Sequence, residues 1–153
     1  MSQKPLYRWV DSCITDPKFP DSVLQVGADP HGHAVYVGKA PGGDYVLPIT
    51  VIPADKKASI GVKGVENPVQ KYKLLSSNQL KWVPSQNGVV LPGAVQVGHN
   101  KDGIPIYAAR VFHERSWIVG AINPKYEVCY FPYNGKELTT KQYEALVSEF
   151  YVE

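Results

Sequence analysis

Shifted against itself by 71 positions, the chain falls into register with itself: Gly27 lands on Gly98, Gly32 on Gly103, Tyr36 on Tyr107 and Pro53 on Pro124. The match continues through Gly64 and Gly135, Glu66 and Glu137, Tyr72 and Tyr143, and Leu75 and Leu146, with no gap from Gly27 to Leu75. The 153 residues therefore divide into two copies of one unit, residues 1–76 and 77–153. A copy of about 75 residues is marginal by the scaling of buried surface with length. The join, Ser76-Ser77-Asn78-Gln79, is too short to be a free linker. Two copies sharing one core, not beads on a string, is the arrangement this predicts.

Thirteen Gly and thirteen Pro are spread evenly and cut the chain into short pieces rich in Tyr, Val and Ile, which favours many short strands over helices. In the first copy the strand candidates are Leu6–Val10, Val23–Val26, His33–Lys39, Tyr45–Ile52, Ser59–Val62 and Val69–Leu75, with a Pro-rich loop over 16–21. Pro48 removes a ladder donor from the otherwise apolar Tyr45–Ile52 run. The second copy repeats the order: Leu80–Val83, with Trp82 answering Trp9, then Ile104–Val111, Ser116–Ile122 and Val128–Tyr133. Asp102-Gly103 and Asn134-Gly135 are strong hairpin turns. In the last segment, 139–151, Tyr143, Leu146, Val147 and Phe150 stand at helical spacing behind Thr140. Its counterpart Val69–Leu75 is strand-like and too short for a helix, and equivalent segments should fold alike, so strand is expected. The fold class predicted is all-β: two tandem repeats of short antiparallel strands packed as one intertwined module with a pseudo-two-fold axis.

Sixteen basic and fourteen acidic residues give a net charge of +2, too balanced for a nucleic-acid or anionic-membrane partner. Met1–Pro5 carries no signal-peptide core and no run approaches 18 apolar residues, so the expectation is a cytoplasmic protein with no membrane insertion, or one exported by a non-classical route. Cys13 and Cys129 occupy non-equivalent places in the two copies, which points to two free thiols.

Catalytic motifs are lacking. There is no Gly-x-Ser-x-Gly elbow, no phosphate loop and no dinucleotide fingerprint, and Cys129 sits in an apolar strand as a core thiol. No enzyme activity and no cofactor are expected. His31 and His33 flank a glycine and, with His99 or His113, could hold Zn²⁺. The simpler expectation is two exposed turn histidines and no metal. Glu66 and Glu137 could be the acid and base of a glycosidase, or structural carboxylates accepting turn N–H groups; the second is expected. In each copy a short polar residue, Asp29 or Asn100, follows a glycine by two and precedes a strand carrying a cation, Lys39 or Arg110. Carboxylate or amide plus cation can grip the vicinal hydroxyls of a sugar whose apolar face an aromatic ring covers. Asp and Asn are equally ordinary turn formers.

The second copy, with Trp82, Pro92-Gly93-Ala94-Val95, Gly98, Asp102-Gly103, Ile106–Arg110, Cys129–Glu137 and Tyr143-Glu144-Ala145-Leu146, resembles the DM-nine repeat family of invertebrate proteins. The first copy is a degenerate version keeping Gly27, Asp29, Tyr36, Gly64, Glu66 and Tyr72. The resemblance implies exchanged strands, a homodimer, and for the best-understood relatives a mannose-binding lectin of innate immunity with glycan partners such as microbial mannan. In those relatives the sugar is held by an Asp after the first Gly and by a Lys in a Pro-Gly-Lys element. Asp29 carries over, whereas Asn100 is a neutral substitute. At the Pro-Gly-Lys place the copies read Pro48-Ile49-Thr50 and Val119-Gly120-Ala121, so either Lys39, Arg110 or another cation substitutes, or only one site survives, or the chain binds something else. The sugar-binding expectation is thus Asp29, Lys39, Asn100 and Arg110. The alternative is a structural or protein-interaction module that has lost sugar binding.

Overall fold

The computed structural model describes residues 6–16 and 19–148. The expectations for Met1–Pro5, for the Pro17-Lys18 part of the first loop and for residues 149–151 lie outside the described residues. The first copy folds as β1 (Arg8–Cys13), β2 (Gln25–Ala28), β3 (Ala34–Gly42), β4 (Tyr45–Ile52), β5 (Lys57–Val62), β6 (Val65–Pro68) and β7 (Lys71–Ser76). The second folds as β8 (Leu80–Gln86), β9 (Gln96–His99), β10 (Pro105–His113), β11 (Ser116–Asn123), β12 (Val128–Tyr133), β13 (Lys136–Thr140) and β14 (Gln142–Ser148). From β2 onward each strand of one copy starts 71 residues before its counterpart in the other. Among the described residues there is no α-helix, hence none long and apolar enough to cross a membrane; one 3-10 turn spans Pro53–Asp55. The ambiguous C-terminal segment is strand, as its counterpart requires. Strand β6, like its counterpart β13, is absent from the strand candidates read from the sequence. It forms because Lys63 (φ 52°) and Gly64 (φ 80°) both take the left-handed conformation that a tight hairpin turn needs, as Asn134 (φ 53°) and Gly135 (φ 81°) do in the other copy.

All pairings are antiparallel. Following them gives a closed ring: β4–β5–β6, across to β13–β12–β11–β10, then β9, and back to β4 through the single Val46–His99 pair. Eight strands thus form a barrel to which both copies contribute. Outside it, β3 carries β7 and β1, while β10 carries β14 and β8. Pro48 falls between the two partners on its edge of β4: β5 pairs from Thr50 onward, and β9 pairs at Val46.

The core explains why the halves cannot separate. Its central cluster mixes Val26, Val35, Val37 and Leu75 with Val95, Val97, Ala108, Val119 and Leu146, all buried. Two flanking clusters each belong to one copy. Polar bonds follow the same exchange. Glu66 accepts from the Gly135 N–H (2.9 Å) and Glu137 from the Gly64 N–H (3.1 Å), so each carboxylate caps the turn of the opposite copy. The Val119 N–H donates to Thr50 Oγ1 at 3.2 Å, buried between the copies.

Candidate functional site

The exchanged strands leave two depressions related by the internal repeat. One, of roughly 260 Å³, is lined by Asp29, Thr50, Asp55, Lys57, Ser59, Glu66, Glu114, Ser116, Trp117 and Tyr133 among others. The other, of roughly 470 Å³, is lined by Asn100, Lys101, Asp102, Ala121, Asn123, Tyr126, Tyr130, Glu137, Asp44, Tyr45 and Lys63 among others. Position by position they correspond: Asp29 to Asn100, Thr50 to Ala121, Asp55 to Tyr126, Ser59 to Tyr130, Glu66 to Glu137 and Ser116 to Tyr45. Each cleft draws on both copies, so neither exists in a single repeat.

Asp29 and Asn100 sit at the same point of the two clefts and do the same local work. Asp29 Oδ1 accepts from the His31 and His33 amides, both at 2.9 Å. Asn100 Oδ1 accepts from the Asp102 and Ile104 amides, both at 3.0 Å. This is the side-chain turn that short polar residues favour, and it needs an oxygen, not a charge. Burial pushes the Asp29 carboxyl up, but the amides of His33 and His31 and the nearby His33 ring more than offset it, so it lies below its ordinary value.

The structure does not bring the expected cations to these residues. Lys39 lines a separate depression with Asp11, Cys13, Lys71 and Lys73, and its ammonium lies 4.3 Å from the centre of the Trp9 ring. Burial, and then the charge of Lys73, hold Lys39 below the usual lysine range. Arg110 is built into the join between copies. Its Nε and Nη2 meet Glu144 Oε1 at 2.7 and 2.6 Å, and Nη1 donates to the Val26 carbonyl at 2.8 Å. Its guanidinium lies over both Trp82 (5.1 Å) and Trp117 (4.1 Å). The pairing register explains the difference between the copies: Arg110 faces Glu144, whereas Lys39 faces Lys73.

The structure does not bring His99 or His113 to His31 and His33. His113 packs on Phe131 and Tyr133, and His99 lies in β9 opposite Pro105 and Val46. The partners of His33 are instead Asp55 and Asp29. Both cysteines are free; Cys129 is fully buried, and burial drives its thiol pKa far up. Glu66 and Glu137 stand in different clefts, each with one oxygen on the other copy's turn, so they do not face each other as an acid–base pair.

What the sequence did not disclose is the aromatic character of the Asn100 cleft. Buried Asn123 accepts from the Lys125 and Tyr126 amides (3.0 and 3.3 Å), a turn that holds Tyr126 half-exposed at the rim. Burial raises the Tyr130 hydroxyl pKa, with Glu137 and Tyr126 adding to it. Burial likewise raises Glu137, against the opposing Gly64 bond. Tyr45 reaches the same cleft from β4 of the first copy. A signal was present: the offset of 71 pairs Tyr126 with Asp55, Tyr130 with Ser59 and Tyr45 with Ser116, unlike residues in otherwise matching frames.

Comparison with known proteins bears on the fold and the family. The chain superposes over its full length on the nematode sperm cell motility protein MFP2B with a TM-score of 0.72 and 13% sequence identity, spanning 50% of that chain. At that identity the likeness speaks for the fold alone. No curated protein matches in sequence. The DM9 repeat signature matches residues 29–149, most of the chain, and the protein belongs to the DM9 repeat family.

Proposed function

We infer that the chain is a non-catalytic carbohydrate-recognition module, with the Asn100 cleft as its main sugar site. The observation that carries this is the lining of that cleft. Tyr45, Tyr126 and Tyr130 line it with aromatic surface of the kind that covers the apolar side of a pyranose, and Asn100, Asp102 and Glu137 line it with groups able to pair with sugar hydroxyls. Concavity with an apolar lining and a few polar groups is the general form of a small-molecule site. Asn100 has its Oδ1 committed to the turn, which leaves its NH₂ group as donor. Mannose-type glycans, including microbial mannan, are the ligand class to try first, as the family resemblance suggests. A homodimer would multiply weak sites into useful avidity. The test is retention on immobilised mannan and on a glycan array. Wild type should be retained, Tyr126→Ala released, and Asp29→Ala retained; release by Asp29→Ala with retention of Tyr126→Ala would place the site in the other cleft.

A second reading, a protein-interaction module, is favoured by one observation: neither cleft has a lysine at the Pro-Gly-Lys place, where Thr50 and Ala121 stand. Binding to no glycan on the array, with the fold intact, would select it.

A further inference from the structure

The smaller cleft has moved in another chemical direction. Asp29 and His33 are fixed by the β2–β3 turn. Asp55 ends the 3-10 turn, which Lys56 closes by donating its N–H to the Pro53 carbonyl at 3.0 Å. One donor atom from each of the three lies within 4.8 Å of the others. His33 Nδ1 is 2.8 Å from Asp55 Oδ1 and 3.6 Å from Asp29 Oδ2. Short as the first contact is, Nδ1 forms no hydrogen bond of good geometry and is shut off from solvent. Asp29, its side chain 6% exposed and its Oδ1 pinned by two amides, turns Oδ2 toward the same point. Two carboxylates thus converge on a shielded imidazole nitrogen that makes no hydrogen bond of good geometry to either.

The repeat supplies an internal control. The corresponding residues of the second copy are Asn100, Ile104 and Tyr126, and the turn there keeps its geometry. The fold therefore does not require three metal-type donors at this place. Imidazole nitrogen with two carboxylate oxygens suits a borderline divalent ion. Ligand bonds of about 2.0–2.2 Å to Zn²⁺ put neighbouring donors roughly 3–3.5 Å apart, within the range spanned by the two separations here. We propose that Asp29, His33 and Asp55 bind one Zn²⁺ ion, leaving a coordination position open toward the cleft that Glu66 and Glu114 also line. This site is independent of the sugar reading, which concerns the other cleft.

The test is calorimetric titration of untagged protein with Zn²⁺ at neutral pH, with circular dichroism to check the fold of each variant. Wild type should bind one equivalent. His33→Gln and Asp55→Asn should weaken binding roughly tenfold or more, the order of loss for disturbing a metal site. His31→Gln should leave it unchanged. Asp29→Asn should fold, as the Asn100 turn does, yet also lose affinity. Co²⁺ in place of Zn²⁺ should give visible absorption in wild type that His33→Gln abolishes. Absence of binding by wild type, or equal binding by well-folded His33→Gln, overturns the proposal.

Discussion

Replacing Arg110 by Met distinguishes a cation that joins the two copies from one that waits for a sugar. The guanidinium donates to the carbonyl of Val26, a fully buried residue at the bulge where β2 shifts register against β3. Leaving a buried carbonyl without its donor costs about 1–3 kcal/mol. The pair with Glu144, its side chains 22% and 31% exposed, adds about 0–1 kcal/mol after solvent screening. Stacking on Trp82 and Trp117 adds about 0.5–1 kcal/mol for each ring. Met keeps the apolar packing of the stem, so the expected loss is about 3 kcal/mol. With a urea m-value of roughly 2 kcal/mol/M, that lowers the unfolding midpoint by about 1.5 M. The control is Lys39→Met at the equivalent position. There one stack on Trp9 is lost while repulsion from Lys73 is relieved, so the change should stay within about 0.5 kcal/mol. A double-mutant cycle with Glu144→Gln isolates the ion-pair share. Equal midpoints for the two Met variants would refute the clamp. If both kept wild-type stability and lost glycan retention, the cations would belong to a sugar site after all.

Three further outcomes follow from the same geometry. A Cβ on Gly98 would meet the Val46 carbonyl oxygen at 2.2 Å, so Gly98→Ala should break the β9–β4 closure and cost roughly 3 kcal/mol in urea unfolding; Gly103→Ala, with open space around it but φ 79°, should cost about 1 kcal/mol of backbone strain. The Asp29 pKa is lowered in the fold, so its stabilisation is present above its ordinary value of 3.8 and is lost as pH falls through the lower folded value; Glu137 is raised, so its contribution favours folding below 4.5 and is lost as pH rises through the higher folded value. Asp29→Asn should therefore flatten the acid limb of stability against pH, and Glu137→Gln should remove a loss on going to neutral pH, both read from urea midpoints across the acid range. In native protein an aromatic disulfide reagent should titrate Cys13 and spare Cys129, whereas unfolded protein should yield both thiols.

The fold was legible because the repeat constrains it twice. Tyr45–Ile52 and Val128–Tyr133 are read to the residue, since each is an apolar run bounded by turn chemistry. The last segment shows the value of the duplication: its helical spacing is overruled by a counterpart too short to be helical, and β14 is the result. The clefts were harder to read because they are made by exchange. Asp29 and Lys39 are ten residues apart and look like a pair, yet the strand between them carries the lysine to a different face beside Lys73. Asp29 instead meets Asp55 from the 3-10 turn that follows β4, and a wall of Ser116 and Trp117 from the other copy. Local spacing reports turns and ladders well, because those are short-range. It says nothing of which copy's strand, β4 or β11, closes a given cleft.

Duplication within one core also explains how two such different clefts can coexist. The shared framework is held by groups that both copies retain: the crossed Glu66 and Glu137 caps, and the oxygen of Asp29 or Asn100 in its turn. Those groups, with Thr50 on the Val119 amide and Asn123 in its own turn, fix the walls, so lining positions such as 55, 59 and 116 of one cleft and 126, 130 and 45 of the other can vary independently. One cleft has Asp55, Ser59 and Ser116 where the other has Tyr126, Tyr130 and Tyr45. Exchange of a lining residue between clefts should therefore move binding chemistry without moving the fold. Tyr126→Asp, with Asn100→Asp and Ile104→His, rebuilds the acidic triad in the aromatic cleft. If the framework argument holds, the triple variant keeps a near wild-type urea midpoint while gaining a second Zn²⁺ equivalent and losing retention on mannan. A collapsed midpoint would mean that the lining of that cleft is part of the framework, and that the two copies diverged by compensating changes instead of free ones.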